Sequence, residues 1–235
     1  MRKMGRRLLE SLAAALFPPR CVLCSGELAA LEVVCSDCES SLPAFDGPRC
    51  QRCGEPVDDS SIDLCLRCGT QLLSVDRAFA LGPYHGEWGR LVRFLKFERE
   101  MAVGRWLGKR MALALSAHDM DREFSVITYV PMTRRDRRKR GFNQAEVLAR
   151  IIAKQLDLPM IGLLTKRHET PLQSKLSAAE RRTNLRDAFR LLPCGQEQVL
   201  LVDDIFTTGS TVEECARTLK RGGAQSVVAM TVARA

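Results

Sequence analysis

Residues Val199–Cys215 read VLLVDDIFTTGSTVEEC. Four apolar residues, two adjacent carboxylates, a hydroxyl-rich turn around one glycine and an amphipathic segment follow one another without a break. An apolar run of this length between polar neighbours predicts a strand buried on both faces. The stripe Val212, Cys215, Ala216 and Leu219 then has helical spacing, and Gly222-Gly223 closes it. Cys215 on that stripe reads as a small buried hydrophobe. A buried strand feeding a helix through such a turn predicts an open α/β sheet, where ligands sit beyond the carboxyl ends of the strands.

At that end Asp203 and Asp204 are acceptors without donors, which suit vicinal hydroxyls, a divalent cation, or both. Thr207, Thr208, Gly209, Ser210 and Thr211 open the helix, where unpaired amides and the positive end of the macrodipole favour a phosphate. Gly209 permits a positive φ or a close backbone approach. Hydroxyls at one end and phosphate at the other describe a sugar phosphate. The second nucleotide motif of P-loop ATPases also ends an apolar run in acids, but the chain has no G-x-x-x-x-G-K-[ST], and Gly104–Arg110 has the wrong spacing. A plain helix cap explains Ser210 and leaves the acids unexplained.

The preceding chain alternates. Arg77–Tyr84 and Phe124–Val130 read as strands, and Trp88–Phe97 and Val103–Leu115 as helices. An arginine-rich loop leads to a helix over Phe142–Leu156, whose core face includes Phe142. Met160–Thr165 reads as a strand, a polar basic stretch follows to Thr183, and Ser226–Val232 is the last strand. This order predicts a mostly parallel sheet with helices on both faces.

Eight of the ten cysteines form four C-x-x-C pairs: Cys21/Cys24, Cys35/Cys38, Cys50/Cys53 and Cys65/Cys68. Two such knuckles supply the four thiolates of a closed zinc site, so four pairs make two structural sites with no open coordination position. The spacing favours sequential pairing, and a crossed pairing of the same ligands is the alternative. The segment is short of large apolar residues, so the metal does the folding. Without basic and aromatic interleaving, the ribbon reads as a spacer or docking element.

The net charge of +8 concentrates in residues 1–20, with +4, and 134–140, with +5. The remainder is close to neutral, so a protein-wide nucleic-acid field is not implied. The stretch 1–19 resembles a signal peptide, but Glu10 interrupts its apolar run and no small-x-small site follows, so a short amphipathic helix is expected. No apolar run approaches the roughly 18 residues of a membrane span. The chain is expected in the cytoplasm.

The run Val202–Thr211 (VDDIFTTGST) resembles the signature of type I phosphoribosyltransferases, which bind phosphoribosyl pyrophosphate (PRPP). With the double ribbon, Val130-Pro131, Arg140–Ala149 (RGFNQAEVLA), Thr170–Gln173 (TPLQ) and Glu180–Asn184 (ERRTN), the whole chain resembles the ComF family of competence-associated proteins. That resemblance implies an amphipathic helix over 1–17, a double zinc ribbon over 18–73 and a phosphoribosyltransferase-like domain over 74–235. It also implies that Asp203 and Asp204 hold the ribose hydroxyls, directly or through magnesium, while Thr207 to Thr211 wrap the 5-phosphate. Arg134, Arg140 and Lys166 become candidates for the pyrophosphate, and the stretch from Lys166 to Thr183 falls where such enzymes carry a hood. One departure is Thr207: several purine-salvage relatives have an aspartate there that assists proton transfer at the base, which threonine does not do near neutral pH. The acceptor is therefore not legible. The function expected is a Mg²⁺-dependent phosphoribosyltransferase acting on PRPP; the alternative is a non-catalytic adaptor in DNA uptake that holds single-stranded DNA on Arg134–Arg140 and uses PRPP or a nucleotide only as a regulator.

Overall fold

The computed structural model describes residues 19–28, 32–98, 101–166, 188–192, 195 and 197–235. The helix expected over 1–17, most of the segment from 166 to 183 and the motifs at 170–173 and 180–184 lie outside them.

Two compact units divide the chain, Met1–Pro43 and Ala44–Ala235. The smaller holds the first cysteine quartet, with an antiparallel bridge between Arg20 and Glu27 and helix α1 (Ser36–Ser40) capped by Cys35. The larger repeats the plan: a bridge between Arg49 and Pro56, then helix α2 (Leu66–Thr70) after Cys65. The second half of the ribbon therefore belongs to the same compact unit as the sheet.

That sheet has four parallel strands in the order β1 (Arg77–Pro83), β6 (Ser226–Arg234), β5 (Gln198–Phe206) and β2 (Val126–Tyr129). Val199–Val202 is fully buried, as its apolar run predicts. Val199 and Leu201 face helix α7 (Ser210–Arg221), in one core with Val212, Cys215 and Leu219. Cys50, Cys53 and Cys68 lie in that same core. The second quartet is thus part of the larger unit's core.

Alternation turns Leu200 and Val202 to the other face. There helices α4 (Met101–Ala117) and α6 (Gln144–Leu156) pack together and on the sheet. Gly108 permits this: a Cβ at that position would lie 2.6 Å from Cβ of Ile151. Helix α3 (Gly86–Arg93) precedes α4 and runs on into a π-helical turn, Phe94–Glu98.

Three local expectations change. The arginine-rich stretch is a two-turn helix, α5 (Arg134–Arg140). Thr133 caps it by accepting from the Asp136 amide at 3.0 Å, and Gly141 ends it at φ +86°. Phe142 stays half-buried outside α6, because Asn143 is that helix's cap, taking the Ala145 amide at 3.1 Å and donating to the Val130 carbonyl at 3.0 Å. The strand expected over 160–165 is split: Met160 makes a single parallel bridge to Ile127, and only Leu164 and Thr165 fall in a strand. The Thr128 hydroxyl takes the Leu163 amide at 3.2 Å, and the chain then leaves β2 to form β3 (Leu164–Lys166), antiparallel to β4 (Phe189–Leu191). No described helix is long and apolar enough to cross a membrane.

Candidate functional site

The loop after β2 is tied to β5 by the Val130 amide, which donates to the Val202 carbonyl at 3.0 Å. Just beyond that bond, at the carboxyl ends of the strands, lies a cavity of about 200 Å³ lined in part by Asp203, Asp204, Thr211, Lys96, Arg140 and Lys166. Residues distant in sequence meet here because strand ends, α5, β3 and the π-helical turn converge on one edge.

The acids differ in environment. Burial and the adjacent Asp204 carboxylate push Asp203 up to about 8, against the Asp204 amide, Lys96 and Lys166, which favour its anion. The amide of Asp204 donates to Oδ1 of Asp203 at 2.9 Å. Nζ of Lys96 lies 2.9 Å from Oδ2 of Asp204. The uncharged form of Asp203 is thus favoured relative to a free carboxyl, while Asp204 is matched by a lysine. Burial also holds the Lys166 ammonium below the usual lysine range, opposed first by the charge of Asp136.

The predicted cradle turns sharply at Gly209, which has φ +72°. A side chain there would strike Phe206, whose ring carbon would sit 2.5 Å from the new Cβ. The hydroxyls of Thr208 and Ser210 are 2.8 Å apart, and the Glu213 amide donates to the Gly209 carbonyl at 2.8 Å to start the helix. Thr207 is exposed, Thr208 and Ser210 half-buried, and Thr211 lines the cavity. Of the three cations picked from sequence, Arg140 and Lys166 line the same cavity as the acids. Arg134 lies on an adjoining groove of about 620 Å³, together with Arg135, Arg137, Thr165 and again Lys166. Lys166 thus joins the two.

Sequence reasoning missed Lys96, because the run FLKFE has helical spacing and its lysine reads as solvated. The π-helical turn is the one local sign, since such turns recur at functional sites.

The two cysteine quartets are Cys21, Cys24, Cys35 and Cys38, and Cys50, Cys53, Cys65 and Cys68, each with its sulfurs within 4.8 Å of one another. Sequential pairing is therefore the one adopted. Four sulfurs at about 2.3 Å from a tetrahedral zinc are separated by about 3.8 Å. Sγ of Cys24 and Cys35 lie 3.8 Å apart, and those of Cys53 and Cys65 lie 3.7 Å apart. Amides point at the sulfurs, as from Cys35 to Cys21 at 3.4 Å. Burial opposes ionisation of Cys21 and Cys50, yet neighbouring amides outweigh it and bring each down to about 6. These donors fit structural zinc.

A double zinc ribbon followed by a phosphoribosyltransferase-like α/β unit is the class this architecture defines. Family models agree: a double zinc ribbon domain matches residues 12–69 and a phosphoribosyl transferase domain matches residues 143–235. Competence protein F of Haemophilus influenzae is 32% identical over 92% of this chain and 97% of its own length. The DNA utilization protein YhgH of Escherichia coli K12 is 32% identical over 89% of this chain and 94% of its own, and competence protein ComFC of Bacillus subtilis 26% over 86% and 85%. The chain belongs to the ComF family. Among solved structures, adenine phosphoribosyltransferase from Thermoanaerobacter pseudethanolicus aligns with a TM-score of 0.38 and 13% identity, over 59% of this chain and 83% of that one. Glutamine PRPP amidotransferase from B. subtilis aligns with a TM-score of 0.38 and 22% identity, over 54% and 25%.

Proposed function

We propose that this protein binds PRPP with Mg²⁺ and acts as a phosphoribosyltransferase in a DNA-uptake pathway. The observation that carries this reading is the shared cavity: Asp203, Asp204 and Thr211 line it together with Lys96, Arg140 and Lys166. Asp203 and Asp204 take the ribose hydroxyls, and the turn from Thr207 to Thr211 takes the 5-phosphate. The diphosphate lies toward Lys166, Arg140 and the groove at Arg134. The carboxylates and the ligand's own oxygens are the hard donors that Mg²⁺ prefers, and the ion would neutralise charge on the diphosphate. As the bond from ribose C1 to the leaving diphosphate breaks, positive charge grows on the ribose and negative charge on the departing oxygens. Acids on one side and Arg140 and Lys166 on the other stabilise that separation. The competence and DNA-utilization names of the relatives support assigning such a reaction to DNA uptake, and the reading takes it to occur in the cytoplasm. Calorimetric titration tests the reading: PRPP should bind the wild type only with Mg²⁺, and Asp203→Asn with Asp204→Asn should abolish the heat. Binding that survives the double substitution would overturn it.

The exposed face of α5 favours a second reading, an adaptor that holds single-stranded DNA. Arg134, Arg137 and Arg138 are exposed there, next to the larger groove. Replacing three of these arginines should flatten the log-log salt dependence of single-strand binding by roughly 2 units. An unchanged slope would exclude this patch.

A further inference from the structure

The phosphate turn is held from behind by the second zinc module. Helix α2 is capped by one zinc-site cysteine, Cys65, and contains another, Cys68, and its Arg67 guanidinium donates to the carbonyl of Thr208. In a trans peptide the carbonyl oxygen and the following N–H point in opposite directions. Fixing the Thr208 carbonyl toward the knuckle therefore fixes the Gly209 amide away from it. That amide belongs to the turn assigned above to the 5-phosphate.

Two further ties come from the same module. Glu213, in the first turn of α7, accepts from the Ser74 and Val75 amides at 2.6 and 3.3 Å, just after the knuckle. The far edge of the Phe206 ring packs against Gly209, and the Arg234 guanidinium lies over the ring, 4.6 Å from its centroid. Arg234 in turn donates to the Cys53 carbonyl at 2.5 Å and pairs with Glu55. The turn, the start of α7 and the Phe206 ring thus each end on the module that carries the second quartet. Among the described residues Nε of Arg67 is buried without a hydrogen-bond partner, so the guanidinium that holds the Thr208 carbonyl keeps one donor unused. Such an unmet donor is uncommon enough to require an explanation.

We propose that Arg67 is a positioning residue for phosphate recognition, and that the second zinc site, by fixing α2, is coupled to the ligand site. This rests on the sugar-phosphate reading given above. Zinc at Cys50, Cys53, Cys65 and Cys68 orients α2, α2 orients the Thr208–Gly209 peptide, and that peptide presents its amide to the phosphate. Coupling of this kind is reciprocal: if zinc favours ligand, ligand retains zinc to the same degree.

The test uses the full zinc-loaded chain and ribose 5-phosphate, with inorganic pyrophosphate as the second probe. Arg67→Gln should weaken ribose 5-phosphate about tenfold or more, as loss of a charge-assisted hydrogen bond does. Its pyrophosphate affinity and its two zinc equivalents should stay unchanged. Arg67→Lys, which keeps a charged donor, should recover part of the loss. In the wild type, equilibrium competition with a chelator should show one of the two zinc equivalents held about tenfold more tightly when ribose 5-phosphate saturates the protein. Equal weakening of both probes would make Arg67 merely structural and overturn the proposal. Zinc affinity indifferent to ribose 5-phosphate would overturn it as well. A wild type that binds pyrophosphate but no ribose 5-phosphate would instead overturn the sugar-phosphate reading, and the brace with it.

Discussion

Gly209→Ala subjects the turn to its most local perturbation. Alanine at φ +72° adopts the left-handed region at a cost of about 1–2 kcal/mol. Its Cβ would also sit 2.5 and 2.8 Å from two ring carbons of Phe206. That ring is 3% exposed and is backed by Arg234, which is itself anchored to Cys53, so it has little freedom to yield. Overpacking of this kind costs about 1–3 kcal/mol, and the two effects together reach roughly 2–5 kcal/mol. For a unit of this size the melting temperature should fall by roughly 5–15 °C. Denaturant unfolding of wild type, Gly209→Ala, Phe206→Leu and the double variant separates the two parts. Leucine relieves some of the collision, so the double variant should be more stable than the sum of the single losses by about 1 kcal/mol. The backbone cost should remain in both alanine variants. An alanine variant within about 0.5 kcal/mol of wild type, or strict additivity, would refute the argument that Phe206 and Gly209 form one tight joint.

Asp203 gives a pH dependence. Its proton is held in the folded chain up to about 8, whereas the unfolded chain releases it near 3.8, so this group lowers stability as pH rises across that window. Thermal melts of Asp203→Asn should lose that slope, with the gain over wild type growing from pH 5 to 8. Lys96→Met leaves Asp204 without its counter-charge and should cost about 1–3 kcal/mol, recovered by millimolar Mg²⁺; a melt indifferent to Mg²⁺ would speak against a cation site at the acids. Among the cysteines, Cys21→Ser should remove one zinc equivalent and leave the unfolding of the Ala44–Ala235 unit unchanged. Cys50→Ser should remove the other and destabilise that unit, because Cys50 lies in its core, and metal analysis paired with calorimetry distinguishes the two.

Much of the site was legible because its chemistry is local. The strand ending in Asp203 and Asp204, the turn through Gly209 and the stripe of α7 are contiguous, and each is fixed by neighbours a few residues away. The cysteine quartets were legible for the same reason, since C-x-x-C geometry is set within one turn. Lys96 was not, because what makes it part of the site is the 2.9 Å approach to an acid more than a hundred residues downstream. Arg67 looked like one more ribbon residue, and only the docking of its helix behind Thr208 gives it a role. The arginine-rich stretch has a density of like charge that favours a loop. Its cap at Thr133 and stop at Gly141 are present in the sequence, but that density outweighs them as a signal. The segment after Pro159 has strand composition, and the competition that shortens it, a hydroxyl of β2 taking the Leu163 amide, is a tertiary event.

The central claim is that one small molecule spans the acids and the phosphate turn, and ³¹P NMR of PRPP tests it at both ends at once. With Mg²⁺ present, the 5-phosphate and the diphosphate resonances should shift together on adding the protein. With Asp203→Asn and Asp204→Asn neither should move at the same concentration. A shift confined to the diphosphate, or one that survives the double substitution, would show that basic residues alone capture the ligand and would contradict the account.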